Sequence, residues 1–568
     1  MYLAVVPNRE SPPAILLRES IREGKKVRTR TVANLSFLSM PQVEAMRRVL
    51  RGDVLVSPED VFDKLRDRAH GAVDAVQTAM RKLRFDTLLD TESSRERDLV
   101  LAVVVARIVA SNSKLGTTRW WQTTTLSEDP GIEGATEDDV YEAMDWLLAR
   151  QDAIEEQLAK RHLAEGGLVL YDLSSSYFEG TTCPLAALGH SRDGKKGTLQ
   201  VNYGLLTDSR GCPVSVSVFK GNTGDPTTLL PQVDKVRGKF KIARLVIVGD
   251  RGMITQKQID TLSTAEGVGW ITALKTGAIR KLASSGALQM GLFDTKNLFA
   301  VEHPDFPGER LVACKNHELG RLRAHKRESL LNATTKALEG IQKTVSRGRL
   351  TGKAEIGVRI GKSINRYKVA KHFVLTITDK NFTFERRHEA IAVEAAVDGI
   401  YVVRTSIPKL EVSDEDAVRN YKKLANVERA FRTMKSVSLK VRPIHHHLES
   451  RVRAHILLCM LAYYVEWHMR EALRPLLFSD EDQGLKATRD PVAPAKRSLA
   501  ALRKVHRHEL EDGTQAHSFS TLLADLATIT RSTCRRRGAP QDEGTFVVTT
   551  TPNSLQARAL QLLARIAV

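Results

Sequence analysis

Cysteine is scarce in this sequence and never occurs in a paired motif: Cys183, Cys212, Cys314, Cys459 and Cys534 are scattered, odd in number and without a Cys-x-x-Cys. That pattern argues against a disulfide framework and against a thiolate zinc site. Long apolar runs are missing as well. The longest, ILLCMLAYYV at 456–465, is about half of the ~20 residues a spanning helix needs and is flanked by charge, so no membrane span is expected. The opening MYLAVVPNRESPP lacks the basic start, apolar centre and small-residue cleavage site of a secretory signal, and a cytoplasmic location is expected. Acidic residues are in deficit, 67 against 86 Lys and Arg, for a net charge of +19. An excess of this size points to a polyanionic partner, most often nucleic acid, with a solvated basic face as the alternative. It is concentrated in residues 315–371, which hold 15 Lys and Arg against four acids.

The rest of the composition is that of a globular protein, 42% hydrophobic and 27% charged over 568 residues. A chain of this length exceeds the ~250–300 residues at which one core stops growing, so several domains are expected. Residues 1–94 read as a small mixed region, with a hairpin in REGKKVRTRTVANLSF and a helix in MPQVEAMRRVLRG. Residues 95–165 read as helices, with Thr136 as an N-terminal cap. They fit a helix-turn-helix reader of DNA or a bundle with no DNA role.

From 166 to 275 the order is strand, strand, strand, helix, strand, helix, strand. The first strands form an antiparallel hairpin across DSRG, and parallel crossovers follow. This is the α/β order of a ribonuclease-H-like mixed sheet with flanking helices. Residues 276–410, which carry the basic cluster, are too long for a loop and read as an inserted subdomain. Residues 411–475 return to helix, completing the core, with Ser413 and Asp416 as a capping box. Residues 476–568 read as a C-terminal region with a basic linker, RSTCRRRGAPQDEG, and a terminal amphipathic helix.

Three acids stand out. Asp172 follows the apolar LVLY and Asp250 follows RLVIVG, and an acid leaving a strand either caps a turn or points from the sheet edge into a cleft. The strand order makes these two strands neighbours, and paired hard oxygen ligands suit Mg²⁺. Glu428 lies in YKKLANVERAFRTMKS, where Tyr421, Glu428 and Lys435 are spaced by seven. Two helical turns place them on one stripe beside Leu424 and Phe431; the alternative for Glu428 is an ion pair with Arg432.

Other motifs point to less. GHSRDGKK, Gly189–Lys196, has phosphate-loop spacing but ends in Lys196 where Ser or Thr is needed, with a strand after it. It reads as a basic loop near DNA, and no nucleotide cofactor is expected. Consecutive His445, His446 and His447 diverge and have no Cys nearby, which argues against a metal; His447, Arg451 and His455 share a helical face. Trp120 and Trp121 read as core.

Together these words resemble the DDE-type insertion-sequence transposases of bacteria, in the subgroup whose carboxylate helix reads Tyr-x2-Arg-x3-Glu-x6-Lys. Tyr421, Glu428 and Lys435 match, while Leu424 stands where the signature has Arg. YDLSSSYFEG, GNTGDPTTL, VGDRGMIT and ERAFRTMKS followed by LKVRPIHHHLESRVRAHILLCMLAYYV occur in the family's order, over roughly 95–475. The resemblance implies that Asp172, Asp250 and Glu428 are the catalytic metal ligands, holding two Mg²⁺ ions with Mn²⁺ as a substitute. It implies DNA-backbone contacts from Tyr421 and Lys435, with Arg251 and Arg432 as weaker candidates. The activity implied is cleavage at the terminal inverted repeats of an element and joining to target DNA, by a homodimer on double-stranded DNA at the bacterial nucleoid. The rival readings are a ribonuclease-H-like nuclease without strand transfer and a catalytically inactive DNA-binding descendant.

Overall fold

Strand-forming stretches separated by turns recur from Leu168 to Thr405, and in the computed structural model they build one eight-stranded mixed sheet. Residues 1–9, 11–55, 61–480, 484, 488–537, 540 and 544–567 are described. The strands are β1 (Leu168–Tyr177), β2 (Gln200–Thr207), β3 (Pro213–Lys220), β4 (Leu245–Val248), β5 (Val268–Ala273), β6 (Leu298–Val301), β7 (Arg310–Lys315) and β8 (Ile400–Thr405). Their order across the sheet is β6-β7-β8-β5-β4-β1-β2-β3. β1, β2 and β3 are antiparallel neighbours, β4 and β5 run parallel to β1, and β8, β7 and β6 continue antiparallel.

β2 is buried at every position, as a strand covered on both faces must be. Gly204 within it has a packing reason: a Cβ there would stand 2.2 Å from the Tyr171 hydroxyl on β1. The β2–β3 turn is tied by the Asp208 carboxylate, whose Oδ1 accepts from the backbone of Arg210 at 2.8 Å and Cys212 at 2.9 Å. Gly211 in that turn has φ +90, which favours glycine.

The helices that position the site are α1 (Arg95–Val109), α2 (Glu137–Ala149), α3 (Gln151–His162), α4 (Asp225–Gly238), α5 (His317–Ser346), α6 (Lys353–Ile364), α7 (Asp414–Lys422), α8 (Leu424–Arg432), α9 (Glu449–Ala472) and α10 (Ser554–Leu563). Thr136 and Asp139 form the capping box that opens α2, and the Ser413 hydroxyl accepts from the Asp416 backbone at the start of α7. α9 is buried from Ala454 to Met469 and packs against α1, α2 and β3. The apolar run at 456–465 is therefore a core helix, against which α1 and α2 of the stretch 95–165 pack. Among the described residues no single helix is long and apolar enough to cross a membrane.

The stretch 276–410 splits between two roles. β6, β7 and β8 extend the main sheet over a core that includes Leu274, Ile279, Leu311 and Val402. α5, α6 and the hairpin Phe373–Ile377/Phe382–Arg386 close a second core around Leu331, Leu338, Ile356 and Phe382. Its basic side chains face outward: Arg321, Arg323, Lys326, Lys336, Arg359 and Lys362 are exposed.

A separate unit consists of residues 1–69 with 529–551. In it Tyr2–Val6, Ala14–Glu23 and Lys26–Asn34 form an antiparallel sheet, with Leu3 and Ile15 packed on Val43 of the helix Met40–Leu50. Phe62–Ala69 pairs with Thr530–Arg536, which pairs with Thr545–Thr549. The second unit holds 70–528 and 552–568. This division cuts across the boundaries expected at 94 and 475, because the pairing of Ala69 with Thr530 joins distant segments that no local pattern connects. Part of the expected basic linker is the strand Thr530–Arg536; 538, 539 and 541–543 lie outside the described residues.

Candidate functional site

Register in the parallel part of the sheet brings two acids together. The last parallel pair between β1 and β4 is Leu170↔Val248, and Asp172 and Asp250 each lie two residues beyond it. Strand side chains alternate with period two, so Asp172 continues the face of Leu170, while Asp250 lies just past the end of β4. β1 does not end at Asp172, as the apolar LVLY implies, but runs on to Tyr177, with Asp172 opposite Leu205 of β2. The polar continuation is stable because its hydroxyls are bonded. Ser176 meets the Tyr203 hydroxyl at 2.8 Å, and Ser175 accepts from the Arg192 backbone at 3.0 Å.

Glu428 arrives on α8, which packs against β1. Two titrating groups register all three acids at once. The Asp172 carboxyl is pushed up to about 7, first by burial and further by Asp250 and Glu428, against the Leu173 N–H and the Arg192 guanidinium. The Tyr421 hydroxyl is pushed up to about 12 by burial and by Asp250, Glu428 and Asp172, with Arg251 opposing. The structure thus brings Asp172, Asp250, Glu428, Tyr421 and Arg251 into one electrostatic neighbourhood. A half-buried carboxyl beside two exposed ones is a set of hard oxygen donors that fits Mg²⁺ or Mn²⁺. The three carboxylates are not drawn into one tight cluster: among the described residues, the one trio of ligand atoms all within 4.8 Å of one another is His162, Cys212 and His468.

Lys435 does not share the stripe expected from its spacing. The helix breaks at Lys423 between α7 and α8, and Thr433–Val437 forms a π turn. A wider turn changes the angular advance per residue, so a spacing of seven no longer holds one face. Lys435 is buried and donates to Asp193 Oδ1 at 3.0 Å, while Arg442 meets the same oxygen at 2.6 Å. Burial lowers the Lys435 ammonium pKa, with Asp193 opposing. Arg251 and Arg432 are exposed, Arg432 as the last residue of α8, and Leu424 opens α8 half-buried.

The loop GHSRDGKK supplies residues that sequence reasoning missed. Arg192 pairs with Asp225 at the start of α4 and is the cation that favours the ionised form of Asp172. Asp193 accepts from the Tyr177 backbone at 3.0 Å as well as from Lys435 and Arg442. Lys195 lies over the Tyr177 ring at 3.5 Å. The sequence signal was slight: an Arg-Asp pair inside a basic loop. His446 packs against Tyr141 and His455, while His447 meets the Thr182 hydroxyl at 2.8 Å, so the three histidines do diverge. His447 precedes α9, which starts at Glu449, so the helical face expected of His447, Arg451 and His455 does not form. Trp121 is core and Trp120 half-buried.

Residues 176–465 match the family model described as the transposase DDE domain, and residues 3–57 match the one described as the N-terminal domain of IS1634 family transposases. No curated protein matches. Among solved structures, a piggyBac transposase synaptic complex with hairpin DNA, seen by cryo-EM, is similar at a TM-score of 0.30 and 9% identity, over 80% of this chain and 69% of that one.

Proposed function

The chain belongs to the DDE transposases of insertion sequences, and on that premise we propose that it binds the terminal inverted repeats of its element, cleaves at their 3′ ends and joins them to target DNA. The observation that carries the proposal is geometric: Asp172 and Asp250 each lie two residues beyond the last parallel pair of β1 and β4, and the helix of Glu428 packs against β1. In a ribonuclease-H-like core these three acids would hold two Mg²⁺ ions, with Mn²⁺ as a substitute. When bound, the metals supply activation of the attacking oxygen and stabilisation of the leaving oxygen in an in-line displacement at phosphorus.

The chain's own groups do the rest. Arg192 opposes the burial that raises the Asp172 pKa, and so favours the ionised form that a metal requires. The Tyr421 hydroxyl stays protonated, so it is a donor to a phosphate oxygen beside the acids. Arg251 adds a cation at the same place, and Arg432 offers another at the end of α8. A DNA-backbone role for Lys435 requires its ion pair with Asp193 to open. The exposed cations on α5 and α6 fit non-specific attraction of the duplex, which weakens steeply with salt. Because two element ends must be brought together, the working form on DNA is a homodimer.

The test is a labelled duplex carrying the ends of the source element, incubated with purified protein in Mg²⁺ or EDTA, beside Asp172→Ala, Asp250→Ala and Glu428→Ala. Metal-dependent nicking and joining, lost in all three variants while binding survives, is the expected result. Nicking without joining would leave a nuclease, and binding without cleavage an inactive descendant. Activity retained by any one variant would remove that carboxylate from the site.

A further inference from the structure

The trio His162, Cys212 and His468 lies outside the acidic site and has no part in the chemistry above. It brings two imidazole nitrogens and a thiol sulfur within 4.8 Å of one another. Each residue comes from a different element: His162 ends α3, Cys212 closes the β2–β3 turn, and His468 sits in the buried part of α9. The absence of local metal-ligand spacing, which argued against a thiolate site in the sequence, has no force here, since Cys212 and His468 are 256 residues apart.

Each side chain is held in place. The Cys212 backbone is fixed by its hydrogen bond to Asp208 Oδ1 at 2.9 Å, and its sulfur lies 3.8 Å from His468 Nε2. The Tyr464 hydroxyl stands 3.1 Å from His162 Nε2, and the Tyr464 ring packs edge-on against His468. Cys212 and His468 are buried and His162 half-buried. Supported imidazoles and a thiol on rigid elements are what a soft or borderline cation selects, and two nitrogens with one sulfur suit tetrahedral Zn²⁺.

We infer that His162, Cys212 and His468 form a zinc site, with three protein ligands and a fourth position open to water. The open side is a cavity of about 380 Å³ lined by Arg161, Arg210, Trp467 and Glu471, and by Leu562 and Arg565 from α10 and the segment after it. The surrounding charge is balanced: Arg161 and Arg210 face the site, and so do Asp208 and Glu471. Binding exchanges one proton for the metal: the S–H bond of Cys212 breaks, its proton leaves to solvent, and the sulfur keeps the electron pair that forms the Zn–S bond. The ion then clamps the end of α3, the β2–β3 turn and α9 to one another.

The test uses full-length protein in which Asp172→Ala and Glu428→Ala remove the acidic site from the count. It is saturated with zinc, then dialysed in excess Mg²⁺. Elemental analysis is expected to find one zinc per chain, lost when Cys212→Ser or His468→Gln is added and kept when Cys314→Ser is added. Cobalt(II) loading of the same protein with the trio intact checks the ligands without any change to them: a thiolate-to-cobalt charge-transfer band and the intense visible bands of a tetrahedral ion are expected. No retained zinc, zinc unaffected by Cys212→Ser, or cobalt binding without the charge-transfer band would each overturn the inference.

Discussion

Lys435 donates its ammonium to Asp193 at 3.0 Å, inside the protein rather than toward solvent. The side chains are 9% and 2% exposed, so the pair is shielded from water, and Arg442 leans on the same carboxylate. Removing the acid strands two cations. Asp193→Ala is expected to destabilise the protein by about 3–5 kcal/mol, the cost of breaking a buried pair from one side. Urea unfolding checks it; a change of well under 1 kcal/mol, the scale of an exposed pair, would show that water already screens the pair.

Arg192 acts on the site through Asp172 without being one of its acids. Arg192→Leu removes the cation that favours ionised Asp172 and leaves Asp225 without its partner. Loss of a group that supports a metal ligand costs about 10–100-fold in metal affinity or activity. The Mg²⁺ concentration for half-maximal cleavage should rise by that order, with the maximal rate less affected. An unchanged metal requirement would mean that Arg192 serves only the packing of its loop.

Gly204 tests how closely β1 and β2 are fitted. Gly204→Ala places a methyl 2.2 Å from the Tyr171 hydroxyl and 2.6 Å from its ring. Overpacking of this kind costs about 1–3 kcal/mol. Tyr171→Phe in the same chain removes the nearer clash and should recover part of the loss in thermal unfolding. No recovery would locate the strain elsewhere.

Lys114 sets a pH dependence of stability. It is 4% exposed, and burial, helped by Arg107 and opposed by Cys459, lowers its ammonium from 10.5 to about 7. Between those two values the unfolded chain binds the proton and the folded chain does not, so this group makes folding more favourable as pH rises from about 7 toward 10.5. Lys114→Met should flatten that rise relative to the wild type, read as the difference in urea midpoint at two pH values within the window. Parallel curves for the two proteins would rule out a perturbed Lys114.

Much of this was legible in the chain. LVLY, RLVIVG and the DSRG turn are local patterns that formed strands and a hairpin, although the first strand runs past Asp172 to Tyr177 and only Asp250 follows a strand end. The capping groups of α2 and α7 were equally plain, because an N-terminal cap needs only a hydroxyl and a carboxylate three residues apart. The continuous helix through Tyr421, Glu428 and Lys435 was not: it breaks at Lys423, and the π turn at Thr433–Val437 carries Lys435 to Asp193, a partner 242 residues away.

The sequence by itself determined the first core strands and their hairpin, the concentration of basic charge in 315–371 and the three carboxylates that its motifs mark out, because these rest on periodicity, turn chemistry and short words. Only the tertiary structure decided that Arg192 faces Asp172, that Ala69 pairs with Thr530, and that His162, Cys212 and His468 meet. Such contacts are set by how strands register and helices pack across hundreds of residues, and packing of that range leaves no local trace in the chain.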